Sequence, residues 1–211
     1  MTIRTEPIPA RTDLGPATAT PGISARATRI AGAILTAGSL SWAGAIFTVG
    51  NNPDDSLGMT IQDLTGGLFQ LGIFALLAVQ LRTRATGVSK AARVALYVEH
   101  VILAIATIWS FAHAVPALRD AAWLVPMDIC WPLSMFGMFL IGVKLFFSKR
   151  WKGLARVWPF IAETWFICTV PAFVILGESR VVDFIGGTHL VIGYATLGAI
   201  LALKPRLTGA R

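Results

Sequence analysis

"LYVEHVILAIATIWSFAHAV", residues 96–115, is apolar almost end to end, yet it carries Glu99, His100 and His113. A helix needs about 20 apolar residues to cover a hydrocarbon core about 30 Å thick, and this run is long enough. An ionisable side chain inside such a run costs roughly 2.5 kcal/mol or more on insertion scales, so it faces the interior of a bundle and pairs with something. Wound as a helix, the stretch brings Glu99, Ala106, Ser110 and His113 close to one face. His100 points about 100° away from Glu99. The polar groups therefore line a partner helix or a cavity, not lipid.

Working outward, the run belongs to a span over 94–115, and five more follow the same pattern: 30–49, 61–81, 121–143, 157–176 and 184–203. The 211-residue chain is 55% hydrophobic and only 14% charged, against about 25% charged in a soluble domain. The fold class this predicts is all-α, a polytopic integral membrane protein built as a bundle of six transmembrane helices. Residues 1–28, rich in Pro, Ala and Thr, read as a disordered tail. Residues 29–204 form the transmembrane domain and 205–211 a short basic tail. No apolar h-region precedes residue 30, so the first span is expected to remain in the mature protein.

Charge then sets the topology. The net charge is +7. Arg4, Arg11, Arg26 and Arg29 precede span 1. Arg82, Arg84, Lys90 and Arg93 follow span 2, and Lys144, Lys149, Arg150, Lys152 and Arg156 follow span 4. Lys204, Arg206 and Arg211 end the chain. Of the 18 basic residues only Arg119 and Arg180 lie in the opposite loops, which hold Asp54, Asp55, Asp120, Glu178 and Asp183. This alternation is the positive-inside pattern and predicts cytoplasmic N- and C-termini in the cell (plasma) membrane. The basic excess is a topology signal that also brings contact with anionic membrane lipids. No nucleic-acid-binding motif occurs in the basic loops, so no nucleic-acid partner is expected.

Several features bear on packing. Ala33, Ala37, Ser41 and Ala45 form a small-residue ridge on span 1, and Gly186, Gly193, Ala195 and Ala199 do so on span 6; both are expected to seat against neighbours. Pro126 and Pro132 lie in span 4 and Pro159 and Pro171 in span 5. Pro132 frees the carbonyl of Asp128 and so places a carboxylate and an unpaired carbonyl at one level. Cys130 and Cys168 have no metal-type spacing and read as small buried hydrophobes.

Depth follows from a rise of about 1.5 Å per residue. Glu99 and Glu163 then lie about 7 and 9 Å inside the basic boundary, at similar depth. Asp128 lies about 10 Å, His189 about 7 Å and His113 about 3 Å inside the opposite boundary. Asp63 is near water at the end of span 2, and Gln70 is near the midplane. Of seven tryptophans, Trp123, Trp151 and Trp158 read as interfacial anchors. Trp109, Trp131 and Trp165 lie deeper, and aromatic walls beside acids suit an apolar or cationic ligand.

Three functions fit this constellation. The first is an intramembrane enzyme on a lipophilic substrate, with terpene or isoprenoid cyclisation as the example. A desolvated carboxyl can hold and donate a proton while a second group takes one back. Glu99, Asp128, Glu163 and His189 would share those catalytic roles, with Trp109, Trp131, Trp165, His113 and Gln70 binding the substrate. The second is a small proton-coupled transporter or permease component acting as an oligomer or with a partner subunit. The third is an accessory protein whose buried polar groups only hold helices together. His113, Asp128 and His189 together have the chemistry of a metal site, and His100 and His113 are spaced as in b-type haem bundles. Such bundles need a further histidine pair and only His189 remains, so no cofactor and no metal is expected. No GxSxG, HExxH, P-loop or GxGxxG motif occurs, which removes support for hydrolase, zincin and nucleotide chemistry.

Overall fold

The structure, a computed structural model, describes residues 22–211. Of these, 79% are helical and none is in a strand, so the chain is all-α. The elements are α1 (Ala25–Val49), α2 (Ser56–Thr83), α3 (Lys90–His113), α4 (Val125–Asp128), α5 (Cys130–Ser148), α6 (Gly153–Glu163), α7 (Trp165–Leu176) and α8 (Arg180–Leu190), then a π-helical turn Val191–Ala195 and α9 (Thr196–Leu203). α4 with α5, α6 with α7, and α8 through α9 each make one long rod. The result is six helices long and apolar enough to cross a membrane. Six passes return the chain to its start: the Ala25 N–H donates to the Arg211 carbonyl at 2.6 Å, and the Arg211 N–H to the Ile23 carbonyl at 3.2 Å.

Capping decides where the first three helices begin. Ser24, Asp55 and Ser89 each accept a hydrogen bond from the backbone N–H three residues on, satisfying a donor that the first turn leaves orphaned. α1 therefore starts at Ala25 and buries Thr28 completely. The tail drawn to residue 28 gives way to helix there; residues 1–21 of that expectation lie outside the described residues. At the other end Pro205, Thr208 and Ala210 are buried, and the Leu207 carbonyl accepts from the Lys152 N–H at 2.9 Å. Residues 205–211 thus pack against the bundle rather than trailing from it.

Close packing uses glycines that the alanine ridge did not suggest. A Cβ at Gly32 would collide with the Gly198 carbonyl, one at Gly38 would lie 2.7 Å from the Leu68 carbonyl, and one at Gly72 2.8 Å from the Leu35 Cα. α1 thereby seats against α9 on one side and α2 on the other, as small-residue contacts allow. Ala33 and Ala37, expected to pack, are exposed instead. Span 6 behaves as expected, with Gly186, Gly193 and Ala195 buried.

Val101, Ile108, Phe147, Val174, Ile175 and Leu203 are among many large apolar side chains left exposed on the outside of the bundle. A soluble monomer rarely shows such contiguous apolar area, whereas hydrocarbon would cover it. Two tryptophans separate here. Trp123 is half exposed, but Trp151 is 1% exposed and donates its indole N–H to Thr83 Oγ1 at 2.9 Å. Trp151 is thus a core residue and not an interfacial anchor. Cys130 is half-buried and Cys168 exposed, so Cys168 is not the buried hydrophobe expected.

Candidate functional site

The polar side chains of the bundle are arranged as a ladder of interhelical pairs. At the end carrying the acidic loops, His113 of α3 places Nδ1 2.7 Å from Asp63 Oδ2 of α2. A carboxylate only accepts, so Nδ1 carries the proton and Asp63 fixes the ring. Trp109 stacks on that ring, with centroids 4.6 Å apart and planes 12° from parallel. Arg119 closes the corner, donating to the His113 carbonyl at 3.2 Å and to Thr60 Oγ1 at 3.0 Å. One step deeper, Gln70 Nε2 donates to Ser110 Oγ at 3.1 Å.

The deepest rungs hold the two glutamates. Ser134 of α5 donates to Glu99 Oε1 at 2.5 Å, and the Tyr194 hydroxyl donates to Glu163 Oε2. Glu163 Oε1 has no hydrogen-bond partner. Both carboxyls are 2% exposed. They reach α5 where it has no side chain in the way. A Cβ at Gly137 would strike Glu99 Oε2, and one at Gly142 would lie 2.9 Å from Glu163 Cγ. Their donors Ser134 and Tyr194, together with Gln70, line one small cavity of about 30 Å³, enough for about one water molecule.

Backbone irregularity gathers at the same level. The rod of α6 and α7 breaks at Thr164, directly after Glu163, and the Thr164 hydroxyl donates to the Ile161 carbonyl at 2.7 Å. Tyr194 lies on the π-helical turn facing it, where Thr196 Oγ1 donates to the Val191 carbonyl at 3.0 Å. π-turns inside α-helices occur frequently at functional sites.

Above the ladder a cavity of about 350 Å³ opens toward the acidic loops, within the usual range for small-molecule sites. Trp42, Trp109, Trp131 and Trp165 line it, with Asp63, His113, Asp128, Gln62 and Thr169. Trp42, Trp131 and Trp165 touch one another with centroids 5.6 to 6.0 Å apart. Trp42 also stacks on Phe69 at 4.9 Å, and Phe69 meets Tyr194 edge-on at 5.0 Å. The aromatic floor therefore adjoins the glutamate level. A second opening, a groove of about 380 Å³ between α3 and α5, has an apolar wall containing Glu99, with Lys144 on its lining.

The residues singled out in the sequence are thus divided. Glu99, Glu163 and Gln70 join the ladder; Trp109, Trp131, Trp165 and His113 line the cavity at the acidic-loop end. Asp128 does not lie deep. The turn at 121–124 delays the helix to Val125, which leaves Asp128 exposed in the first turn and on the cavity wall. Nor do Asp128 and His189 form a pair: His189 Nε2 is 3.0 Å from Thr164 Oγ1, and its Nδ1 has no partner. Among the described residues no three His, Cys, Asp or Glu side chains gather as metal ligands. Asp63, Trp42 and Tyr194 were not foreseen as site residues. Asp63, Gly66 and Gln70 share a face of α2 at helical spacing. Tyr194 is a lone phenol deep in an apolar span and needs an acceptor there.

Compared with known proteins, the chain matches no family profile, no curated sequence and no solved structure.

Proposed function

We propose that this chain is a multi-pass membrane protein that takes a small amphipathic molecule into its outer cavity and couples the molecule's movement to proton exchange at Glu99 and Glu163. The observation that carries this reading is the ladder itself. Asp63–His113, Gln70–Ser110, Glu99–Ser134 and Glu163–Tyr194 each bridge two helices, and they run from the cavity to a carboxyl that also lines the opposite groove. Titratable residues in such series mark proton paths in membrane proteins, and interrupted helices around a central site are the transporter pattern. The positive-inside distribution supports cytoplasmic termini in a plasma membrane. The exposed apolar faces of α3, α5 and α7 leave room for lipid or a second subunit.

The test is lumenal pH in pyranine-loaded proteoliposomes across a gradient of a permanently charged aromatic solute, benzylguanidinium or benzenesulfonate. At least one gradient should move protons with the wild-type protein and fail to do so with folded Glu99→Gln or Glu163→Gln. No proton movement with either solute overturns the reading.

A second reading is favoured by the groove between α3 and α5. A lipophilic substrate entering from the bilayer would meet Glu99 in an apolar wall, which is the arrangement an intramembrane isomerase or cyclase needs. It ranks second because Asp128, Glu163 and His189 do not line that groove, leaving the acid without the base expected for it. Incubation with isoprenoid diphosphates or free isoprenoids, followed by mass spectrometry of products, checks it; Glu99→Gln should abolish any product found.

A further inference from the structure

We infer that the outer cavity is a binding site for a protonated organic amine with an aromatic or apolar body. The inference deepens the carrier reading and rests on it for the cavity's role, but its own argument is the chemistry of the walls.

Four indole rings line the cavity, and tryptophan attracts a cation best among aromatic side chains. Asp128 supplies an exposed carboxylate and Asp63 one that already accepts from the His113 ring, and among the described lining residues there is no lysine or arginine. Arg119, the nearest guanidinium, is held by Ser56, Thr60 and the His113 carbonyl. The approach has the same sign. A neighbouring recess of about 480 Å³ shares Asn51, Asn52 and Pro53 with the cavity and is lined by Asp54, Asp55, Glu178 and Asp183, with Arg180 the one base. Acid-lined clefts concentrate cations at their mouths.

One atom bears on what the cation carries. Gln62 Oε1 and Thr169 Oγ1 belong to lining residues, are buried, and have no hydrogen-bond partner. Gln62 is 9% and Thr169 2% exposed. The orphaned amide oxygen can only accept. A buried acceptor without a partner is costly, and a ligand whose N–H or O–H reaches it offsets that cost. An ammonium does this, whereas a carboxylate cannot and a quaternary amine offers charge alone. The volume accommodates one ring and a short side chain.

The experiment is a titration of the purified full chain in detergent, read by quenching of its tryptophan fluorescence. The probes are 2-phenylethylammonium, 2-phenylethanol of the same shape without charge, and 3-phenylpropanoate of opposite charge. The ammonium should bind at least about tenfold tighter than the alcohol, the factor a partly desolvated cation–π contact gives, and the carboxylate should bind most weakly. Asp63→Asn with Asp128→Asn should bring the ratio of ammonium to alcohol affinity down toward one. Gln62→Leu, which removes the orphan acceptor, should weaken the ammonium and the alcohol, which both bring a donor, more than the carboxylate. Equal affinity for ammonium and alcohol, or tighter binding of the carboxylate, overturns the inference even if a gradient of benzenesulfonate drives proton movement. Selective amine binding without any proton movement sustains the inference and overturns the carrier reading instead.

Discussion

Replacing Tyr194 with Phe tests whether the Glu163 rung is a specific interaction. The ring is retained, so the edge contact with Phe69 at 5.0 Å survives and no cavity forms. What goes is the one donor to Glu163 Oε2, and because Oε1 has none either, the buried carboxyl is left without a hydrogen bond. Interhelical hydrogen bonds in membrane proteins average about 0.6 kcal/mol and reach about 1.7. Stranding a buried polar group costs about 1–3 kcal/mol. The overlap of these ranges predicts a loss of about 1–2 kcal/mol for Tyr194→Phe. In a Glu163→Met background the sign changes. There the phenol is the orphan, and Tyr194→Phe should be neutral or stabilising. Unfolding by SDS titration in mixed micelles reads the effect through tryptophan fluorescence, since Trp165 sits two residues from Glu163. If the two substitutions add to within about 0.3–0.5 kcal/mol, the two side chains are not coupled and the reasoning is refuted.

Other substitutions probe other levels of the structure. Gly137→Ala drives a methyl group into Glu99 Oε2; it should cost about 1–3 kcal/mol by overpacking and reproduce the proton-flux defect of Glu99→Gln in the pyranine assay. Gly198→Ala meets the Gly32 carbonyl and Thr36 where α1 crosses α9, and should cost a similar amount, whereas Ala33→Val on the exposed face should stay within about 0.5 kcal/mol; SDS titration compares them. Trp151→Phe gives up a fully buried indole and its bond to Thr83 and should lower the unfolding midpoint clearly, while Trp123→Phe should leave it unchanged.

Much of this fold is written in runs of apolar residues, and those need no tertiary information to read. All six rods appear where the runs lie, and three of the boundaries that moved did so for a local reason. Asp55 and Ser24 cap helices earlier than the apolar residues begin, because a cap is a polar residue outside the run it starts. The turn at 121–124 is apolar enough to look like the beginning of span 4, which is why Asp128 was placed too deep. The candidate site was legible in parts. Equal depths for Glu99 and Glu163 follow from helical rise alone, while along α5 the two meet different glycines, Gly137 and Gly142. Their partners could not be found that way: Ser134 and Tyr194 are chosen by the rotation of α5 and of the π-turn, and rotation depends on which helices touch. The same holds for α1, whose alanine ridge and glycines are equally small; contact with α2 and α9 decides between them.

The distribution of interruptions joins the fold to the proposed function. α1, α2 and α3 run unbroken for 25, 28 and 24 residues, and α1 is pressed against α2 through Gly38 and Gly72. Every rod in the second half is interrupted: between Asp128 and Cys130, at Thr164, and over Val191–Ala195. Pro132 explains the first, since it has no N–H for the Asp128 carbonyl. At the other two a threonine hydroxyl joins its own backbone N–H on one carbonyl, Thr164 on Ile161 and Thr196 on Val191. Each interruption touches a polar residue of the site: Asp128, Glu163 and Tyr194. A bundle needing only stability would gain nothing from breaking three of six rods beside polar residues of its cavity and ladder. A bundle that must move a carboxyl between two openings needs local backbone freedom at that carboxyl, and a continuous half against which to move it.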